Sequence, residues 1–151
     1  MKTVFILLFS FSLICACNQS PHLLNSGSSE YSIVVTSSDT TMLYAANELR
    51  KYISKASGVD LPITGDTTLE KQIRIKTFDS PLPAIRWSLT ENKTLNIEGS
   101  SQLYVLYAVY SFLEETMGIR YLSPSVDHIP SVKTLSLNQI EDKSFAPDRA
   151  V

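Results

Sequence analysis

Two pairs of neighbouring side chains in this 151-residue sequence could take part in acid–base chemistry. In Glu114-Glu115, one carboxyl group could act as a general acid and the other as a general base. In Asp127-His128, a carboxylate beside an imidazole resembles part of a catalytic triad. Neighbours on a helix point about 100° apart, so we expect Glu114 and Glu115 to form a solvated helix end. No nucleophile stands in a recognisable elbow, so we expect His128 to be a loop histidine.

The remaining titratable groups indicate structural roles. The single aspartates that stand in loops or at strand edges predict turns and helix caps; these are Asp39, Asp60, Asp66 and Asp79. His22 and His128 are too far apart in sequence to indicate a metal site, and the five glycines form no phosphate-binding loop. We therefore predict no catalytic residue, no metal and no cofactor, and the substrate-binding residues stay unassigned. A net charge of -2 without a basic run argues against nucleic acid as a partner.

Cys17 ends an apolar N-terminal stretch, and its thiol carries a chemical prediction of its own. Lys2 precedes an apolar block at residues 4–14, which has the pattern of a signal peptide and is too short to be a permanent membrane span. Small residues followed by cysteine resemble a bacterial lipobox, in which the thiol receives a diacylglycerol and becomes the new N-terminus. Cys15 is the weaker attachment candidate, because Ser12 would then stand where an aliphatic residue is expected. The alternative is an ordinary signal peptide with an incidental cysteine.

These features divide the N-terminal region into two segments. Residues 1–16 are predicted to be the lipoprotein signal peptide, and residues 17–30, which are polar and rich in serine, a flexible tether. Asn18 stands second in the predicted mature chain, as in cargo sent to the outer membrane, so we expect an exported protein anchored there by lipid, facing the periplasm or the cell surface. Both cysteines lie in the leader region, so we expect no disulfide and no cysteine-bound metal.

The first half of the predicted domain alternates between strands and one helix. Residues 31–36 are β-branched and apolar, which predicts a central strand. Asp39 offers a helix N-cap and Gly58 a C-cap, around a stripe of Met42, Ala45, Ala46, Leu49, Ile53 and Ala56. Residues 59–63 predict an edge strand because they contain a proline. Period-two alternation then predicts three half-buried strands at residues 72–76, 85–89 and 95–98, the last two joined by a hairpin loop.

A second helix is predicted over Gln102–Met117, ending at Gly118. One stripe contains Leu103, Leu106, Tyr107, Tyr110, Leu113 and Met117; it is widened by Val105, Val109 and Phe112, leaving Tyr104, Ala108, Ser111 and Glu115 as a narrow polar face. So broad an apolar surface predicts a helix covered on most sides. Strands are expected at residues 119–122 and 132–137. The order β-α-β-β-β-β-α-β-β predicts an α+β fold, a two-layer sandwich of a mixed sheet with two helices on one face.

Three segments in this order resemble a domain that precedes the catalytic barrel in several bacterial glycoside hydrolases. They are residues 46–63, residues 95–114 from Leu-Asn-Ile-Glu-Gly-Ser onward, and residues 117–124, Met-Gly-Ile-Arg-Tyr-Leu-Ser-Pro. The resemblance is to α-glucuronidases, β-N-acetylhexosaminidases and related polysaccharide-degrading proteins, and lipoproteins of this kind look typical of Bacteroidetes. It implies that residues 31–138 form a non-catalytic accessory domain and that residues 139–151 begin a linker. Catalysis would then belong to a downstream (β/α) barrel.

A second class of function stays open from the residues alone. The chain could be a free-standing surface lipoprotein module that binds a glycan or a protein, since sugars stack on exposed aromatic rings. Trp87 lies at an apolar position between Ile85 and Leu89 and is predicted to pack in the core. Tyr104 and Tyr121 are the tyrosines whose exposure the sequence leaves undecided.

Overall fold

The computed structural model of the chain describes residues 21–123 and 126–146. Cys15 and Cys17 lie outside the described residues, and so does the predicted lipid site. The strands are β1 (His22–Leu24), β2 (Ser32–Val34), β3 (Ile63–Thr64), β4 (Gln72–Thr77), β5 (Ile85–Leu89), β6 (Leu95–Gly99), β7 (Arg120–Ser123), β8 (Val126–His128), β9 (Leu135–Ser136) and β10 (Lys143–Phe145). The helices are α1 (Thr40–Ser57), α2 (Gln102–Met117) and a single 3-10 turn, Leu137–Gln139.

Six strands form the main sheet in the order β10-β5-β6-β4-β2-β3. Strands β3, β2, β4 and β6 run parallel, whereas β5 is antiparallel to both of its neighbours. Two small sheets, β1-β9 and β7-β8, complete the strands. The predicted α+β class is confirmed: α1 and α2 contact each other and the mixed sheet as the second layer. The predicted edge position is also confirmed, since β3 is the last strand of its sheet.

The core lies between the two layers because each strand alternates. Ile73, Ile75 and Ile97 are buried on one side of the sheet, while the residues between them are polar. Trp87 points to the same side and packs edge-to-face against Phe112 of α2, with the ring centroids 5.9 Å apart. Its indole nitrogen donates to the carbonyl of Glu141 at 3.1 Å. The prediction that Trp87 belongs to the core is therefore confirmed.

Helix α1 follows its local signals closely. The Oδ1 atom of Asp39 accepts from the backbone N–H groups of Thr41 and Met42, at 2.9 and 3.1 Å. Gly58 ends the helix in the left-handed conformation, with φ of 84°. Every residue of the predicted apolar stripe is buried. The capping residues and the apolar periodicity were sufficient to predict α1 from the sequence, because this helix has one clearly apolar side.

Helix α2 has the predicted bounds, but the prediction of its buried side is wrong in part. Leu103 and Tyr107, expected in the buried stripe, are 49% and 47% exposed, whereas Ala108, expected on the polar face, is fully buried. A reason is visible at Gly99: a Cβ atom there would lie 2.2 Å from the amide nitrogen of Val105. The helix packs on the strand through small and branched residues, which permit this close approach.

Both ends of the described chain belong to the fold, in contrast to the prediction of a tether and a linker. Strand β1 pairs with β9, and Leu23 and Leu24 are fully buried. Residues 21–30 are thus not a free tether, because two leucines and a ladder partner hold them. At the other end Ile140 is buried and β10 pairs with β5, so residues 139–146 are part of the domain. The predicted strand at residues 132–137 is reduced to β9.

Candidate functional site

Aromatic side chains gather where the two helices meet the β7-β8 hairpin. Tyr52 of α1, Tyr110 of α2 and Tyr121 of β7 pack edge-to-face, with ring centroids 4.9 to 6.4 Å apart. Together with the carboxylates of Glu48 and Asp127 they form what we call the tyrosine cluster. Edge-to-face packing of this kind stabilises aromatic groups beyond their burial. The cluster joins α1, α2 and the β7-β8 hairpin.

Each carboxylate of the tyrosine cluster accepts a tyrosine hydroxyl. Tyr52 donates to Asp127 Oδ2 at 2.8 Å, and Tyr110 donates to Glu48 Oε2 at 2.9 Å. Lys51 donates to the other oxygen of Glu48, also at 2.9 Å, and this hydrogen bond raises the pKa of the lysine. Glu48 is buried, so the two donors compensate the desolvation of its charge.

Burial and these hydrogen bonds keep the tyrosines protonated. Desolvation, followed by the hydrogen bond to Asp127, raises the pKa of Tyr52 to about 12. Desolvation also raises the pKa of Tyr110 and of Tyr121. At neutral pH these hydroxyls act as donors and not as nucleophiles. The tyrosine cluster therefore fits a packing and recognition surface better than a reaction centre.

The outer helical surface continues past the tyrosine cluster as an apolar area. Its large exposed side chains are Tyr44, Leu103, Tyr107 and Tyr121. Tyr104, which the sequence left undecided, is half-buried and packs edge-to-face on Tyr107 at 5.7 Å. Together with Ile85 and Phe145, these two tyrosines line a small cleft of about 220 Å³. We call the exposed side chains of Tyr44, Leu103, Tyr107 and Tyr121 the outer helical face.

In the two pairs that could carry acid–base chemistry, the carboxylates bind residues outside the pair. Glu114 pairs with Arg120, and Glu115 accepts from Lys143 at 2.5 Å. The bond to Lys143 lowers the pKa of Glu115, which opposes a role as a general acid near neutral pH. In the other pair, Asp127 accepts from Tyr52 and does not orient His128, which is exposed. The geometry brings neither pair together as a reacting unit.

The polar side of the main sheet carries a buried ion pair. Glu98 on β6 is 4% exposed and accepts from Arg86 through both carboxylate oxygens, at 2.7 and 3.2 Å. Lys76 lies 3.5 Å from the same carboxylate. The guanidinium of Arg86 stacks on the ring of Phe78, 3.9 Å from the ring centroid. The fork joins the side chains of β5 and β6, and Lys76 adds a contact from β4.

A polar cleft of about 450 Å³ lies beside β1. Its chemically distinctive wall residues are His22, Glu30, Tyr31, Lys71 and Lys93. Lys71 pairs with Glu30, and Tyr31 donates to the carbonyl of Lys93 at 2.9 Å. Burial raises the pKa of Tyr31. Within the described residues, the Nδ1 atom of His22 is buried without a hydrogen-bond partner.

Two of the four single aspartates have the local contacts expected of caps and turns. Asp39 caps α1, whereas Asp60 lies 3.5 Å from Arg50 in an ion pair. Asp66 accepts from the backbone and hydroxyl of Thr68, which lowers its pKa. Asp79 is exposed in the loop after β4.

The described residues contain neither a cluster of metal-binding side chains nor a membrane-crossing helix. Within residues 21–123 and 126–146, no group of three or more His, Cys, Asp or Glu side chains could hold a metal ion. Neither helix in that part of the chain has the length and apolarity that a membrane-crossing helix needs.

The tyrosine cluster was missed by reasoning from the sequence. Glu48 and Tyr52 are four residues apart on α1 and share one side of the helix, but they stand among charged residues that read as a solvated face. Their partners come from α2 and the β7-β8 hairpin, more than 60 residues away. The one local signal was the run of tyrosines in α2, which the apolar-stripe interpretation assigned to the core.

Comparisons with known proteins connect this fold with carbohydrate-active enzymes. A family GH115 4-O-methyl-α-glucuronidase, BtGH115A, with specificity for decorated arabinogalactans, matches 82% of this chain and 18% of its own chain, at 13% identity and a TM-score of 0.61. A GH138 enzyme targeting pectin rhamnogalacturonan II matches 56% of this chain and 13% of its own, at 18% identity and a TM-score of 0.46. A Streptomyces plicatus β-hexosaminidase matches 63% and 18%, at 12% identity and a TM-score of 0.45.

The likeness to the α-glucuronidase establishes a shared fold. The chain spans less than a fifth of the length of each of the three enzymes. No family model matches the sequence, and no curated protein matches it either. The fold of this chain therefore also occurs as a minor part of the α-glucuronidase chain.

Proposed function

We propose that this chain is a non-catalytic accessory domain of an exported, lipid-anchored glycoside hydrolase. The observation that carries the proposal is the match of 82% of the chain to a small part of an α-glucuronidase. The resemblance of residues 46–63, 95–114 and 117–124 to the domain that precedes the barrel in such enzymes supports the same conclusion. The structural match to the α-glucuronidase favours an α-glucuronidase-like parent over a β-hexosaminidase-like one.

The outer helical face supports the accessory role. Tyr44, Leu103 and Tyr107 are exposed on a helical layer whose other side already packs on the sheet. An apolar area of this kind is typical of a surface that packs against another domain. We propose that the downstream catalytic barrel packs there, and that the parent enzyme is attached to the outer membrane through the lipid on Cys17.

The enzymatic test compares the short chain with a longer one. We expect purified residues 18–151 to release no product from aryl α-glucuronides or aryl β-N-acetylhexosaminides, because the one adjacent carboxyl pair, Glu114-Glu115, is held by Arg120 and Lys143. If the gene continues into a barrel, the longer protein should cleave one of these substrates. Glu114→Gln and Glu115→Gln in the short chain are the controls. Reproducible turnover by the short chain, abolished by either substitution, would overturn the accessory role.

The anchor is tested separately. Wild-type protein should partition into the detergent phase of a cell extract, and Cys17→Ser should move it to the aqueous phase, because the thiol is the site of lipid attachment. Cys15→Ser is the matched control and should leave the partition unchanged. Wild-type protein found in the aqueous phase would contradict the lipid anchor while leaving the accessory role in place.

The second candidate function is a free-standing module that binds a glycan or a protein at the membrane surface. The exposure of Tyr44, Tyr107 and Tyr121 favours it, because exposed tyrosine rings stack on sugar rings and are common at protein interfaces. The genomic sequence that follows the codon for Val151 separates the two candidates. A reading frame that encodes a barrel favours the accessory domain, and a stop codon favours the free-standing module.

A further inference from the structure

The folded domain begins only four residues after the predicted lipid-bearing cysteine. Leu23 and Leu24 are fully buried, and β1 is paired with β9. The chain can therefore leave the domain no later than Pro21, where the described residues begin. Four residues can span at most about 14 Å even when fully extended. A lipid on Cys17 would thus hold the domain close to the bilayer, and not at the end of a 14-residue tether.

The part of the domain at this exit point is the polar cleft. Pro21 and His22 form part of its wall, and Lys71 and Lys93 form another part. Lys71 directly precedes β4, and Lys93 stands in the loop before β6. The cleft therefore lies at the end of the sheet where the parallel strands begin, and the loop that contains Leu82 lies at the opposite end. Strand β4 has six residues, which separates the two ends by about 20 Å.

The chemistry of the cleft suits a phosphate group. Its charged wall residues are Lys71, Lys93 and Glu30, so the cations outnumber the acids by one even with Lys71 paired to Glu30. Lys93 is fixed at the tip of its loop, with φ of 61° and its carbonyl bound by Tyr31. Lysine is a common ligand of phosphate groups, and positive charge near a bilayer is attracted to anionic lipids.

We propose that the polar cleft faces the membrane and contacts the phosphates of anionic lipid headgroups. The proposal rests on the lipid anchor of the proposed function and adds an orientation to it. The lipid supplies the attachment. The short connection to Cys17 and the lysines of the cleft together determine which end of the sheet meets the bilayer. The loop around Leu82 then points away from the membrane.

Energy transfer between the protein and lipid headgroups tests this orientation. The lipidated protein is reconstituted into vesicles of phosphatidylethanolamine and phosphatidylglycerol that carry an acceptor dye on the headgroup. Cys17 is consumed by the lipid in the mature chain, so Ser28→Cys in the wall of the cleft and Leu82→Cys each provide one labelling site for a donor dye. We expect much higher transfer from position 28 than from position 82. A Gly/Ser insertion of about ten residues between Ser20 and Pro21 lengthens the connection by about 17 Å and should reduce that difference.

The outcomes separate the anchor from the orientation. Equal transfer from positions 28 and 82 in protein that is bound to the vesicles would overturn the orientation and leave the anchor intact. Wild-type protein that carries no lipid would overturn both. The contribution of the cleft is measured with Lys71→Gln combined with Lys93→Gln, labelled at Ser28→Cys, another residue of the cleft wall. This pair should lower transfer on anionic vesicles, and unchanged transfer would show that the lysines make no headgroup contact.

Discussion

At the scale of single residues, the described part of the chain buries two carboxylates, Glu48 and Glu98. Each is bound by more than one donor: Glu48 by Tyr110 and Lys51, and Glu98 by the fork of Arg86 with Lys76 nearby. A buried charge is tolerated only when such partners replace water. Both acids therefore act as joints between elements, Glu48 between the helices and Glu98 between strands.

The joint at Glu98 can be tested by Glu98→Gln. The amide keeps the shape but removes the charge, so Arg86 loses its fork and two cations are left side by side. Since both cations are partly exposed, we expect a loss of about 1–3 kcal/mol in the free energy of unfolding. Lys76→Gln is the control, and its loss should stay below about 1 kcal/mol. Urea denaturation measures both, and equal losses would show that the fork adds nothing.

The tyrosine cluster predicts a loss of stability at high pH. The pKa of Tyr52 is about 12 in the folded chain and about 10 in the unfolded chain. The unfolded state therefore loses this proton first, and the contribution of Tyr52 to stability, complete below pH 10, falls away as the pH rises to 12. Over one pH unit above 10 this amounts to at most about 1 kcal/mol.

The measurement is the urea midpoint at pH 9 and at pH 11. Tyr52→Phe has no hydroxyl to titrate, so it should lose less stability between these two values than the wild type does. Tyr107→Phe, at an exposed position, should lose as much as the wild type. If Tyr52→Phe and the wild type fall in parallel, the hydroxyl of Tyr52 is not the group that titrates.

At the scale of elements, α2 shows how a helix that is apolar all round is oriented by its neighbours. Val105, Ala108 and Phe112 are fully buried, while Leu106 is half-buried. The lack of a side chain at Gly99 allows the backbone of Tyr104 and Val105 to lie against the end of β6. The tyrosines are left for the outer surface, where α1 and β7 supply their partners.

Truncation of α2 side chains should follow this orientation. Phe112→Ala removes a ring that packs on Trp87 and should lower the free energy of unfolding by about 3–5 kcal/mol. Leu106→Ala, at a half-buried position, should cost clearly less, and Leu103→Ala about 0.5 kcal/mol or less. Chemical denaturation of the three variants gives the order. A loss at Leu106 equal to that at Phe112 would contradict the orientation of the helix.

At the scale of the whole molecule, segments from both ends of the described chain complete the domain. Strand β1 and the 3-10 turn after β9 cover the core at one place, and β10 extends the main sheet at its edge. Leu23, Leu24 and Leu137 are fully buried as a result. The domain is therefore larger than residues 31–138, and it begins close to the proposed anchor.

Stepwise truncation from the N-terminus tests this extension. A chain that starts at Pro21 should be as stable as one that starts at Asn18. A chain that starts at Tyr31 lacks Leu23 and Leu24 and should lose about 3–6 kcal/mol, at about 1.5–3 kcal/mol for each buried leucine. Leu23→Ala in the longer chain checks that burial is the cause. Equal thermal midpoints for all three chains would show that residues 21–30 add no stability and act as a tether.

The sequence by itself determined the features that depend on neighbours along the chain. Asp39, Gly58 and Gly118 act over one turn of helix, and the alternation of residues 72–76, 85–89 and 95–98 depends only on strand geometry. These signals were enough for the helix bounds, the hairpin and the α+β class. They depend on contacts between residues a few positions apart, which a sequence states directly.

The tertiary structure alone decided which surfaces meet. The side of α2 that is buried depended on Gly99 and not on hydropathy, because an apolar residue stands on nearly every side of that helix. The tyrosine cluster joins residues more than 60 positions apart, and β1 and β10 look like polar linker until β9 and β5 supply their ladder partners. Such contacts form only when the layers close, because burial and hydrogen bonding depend on partners that no local pattern contains.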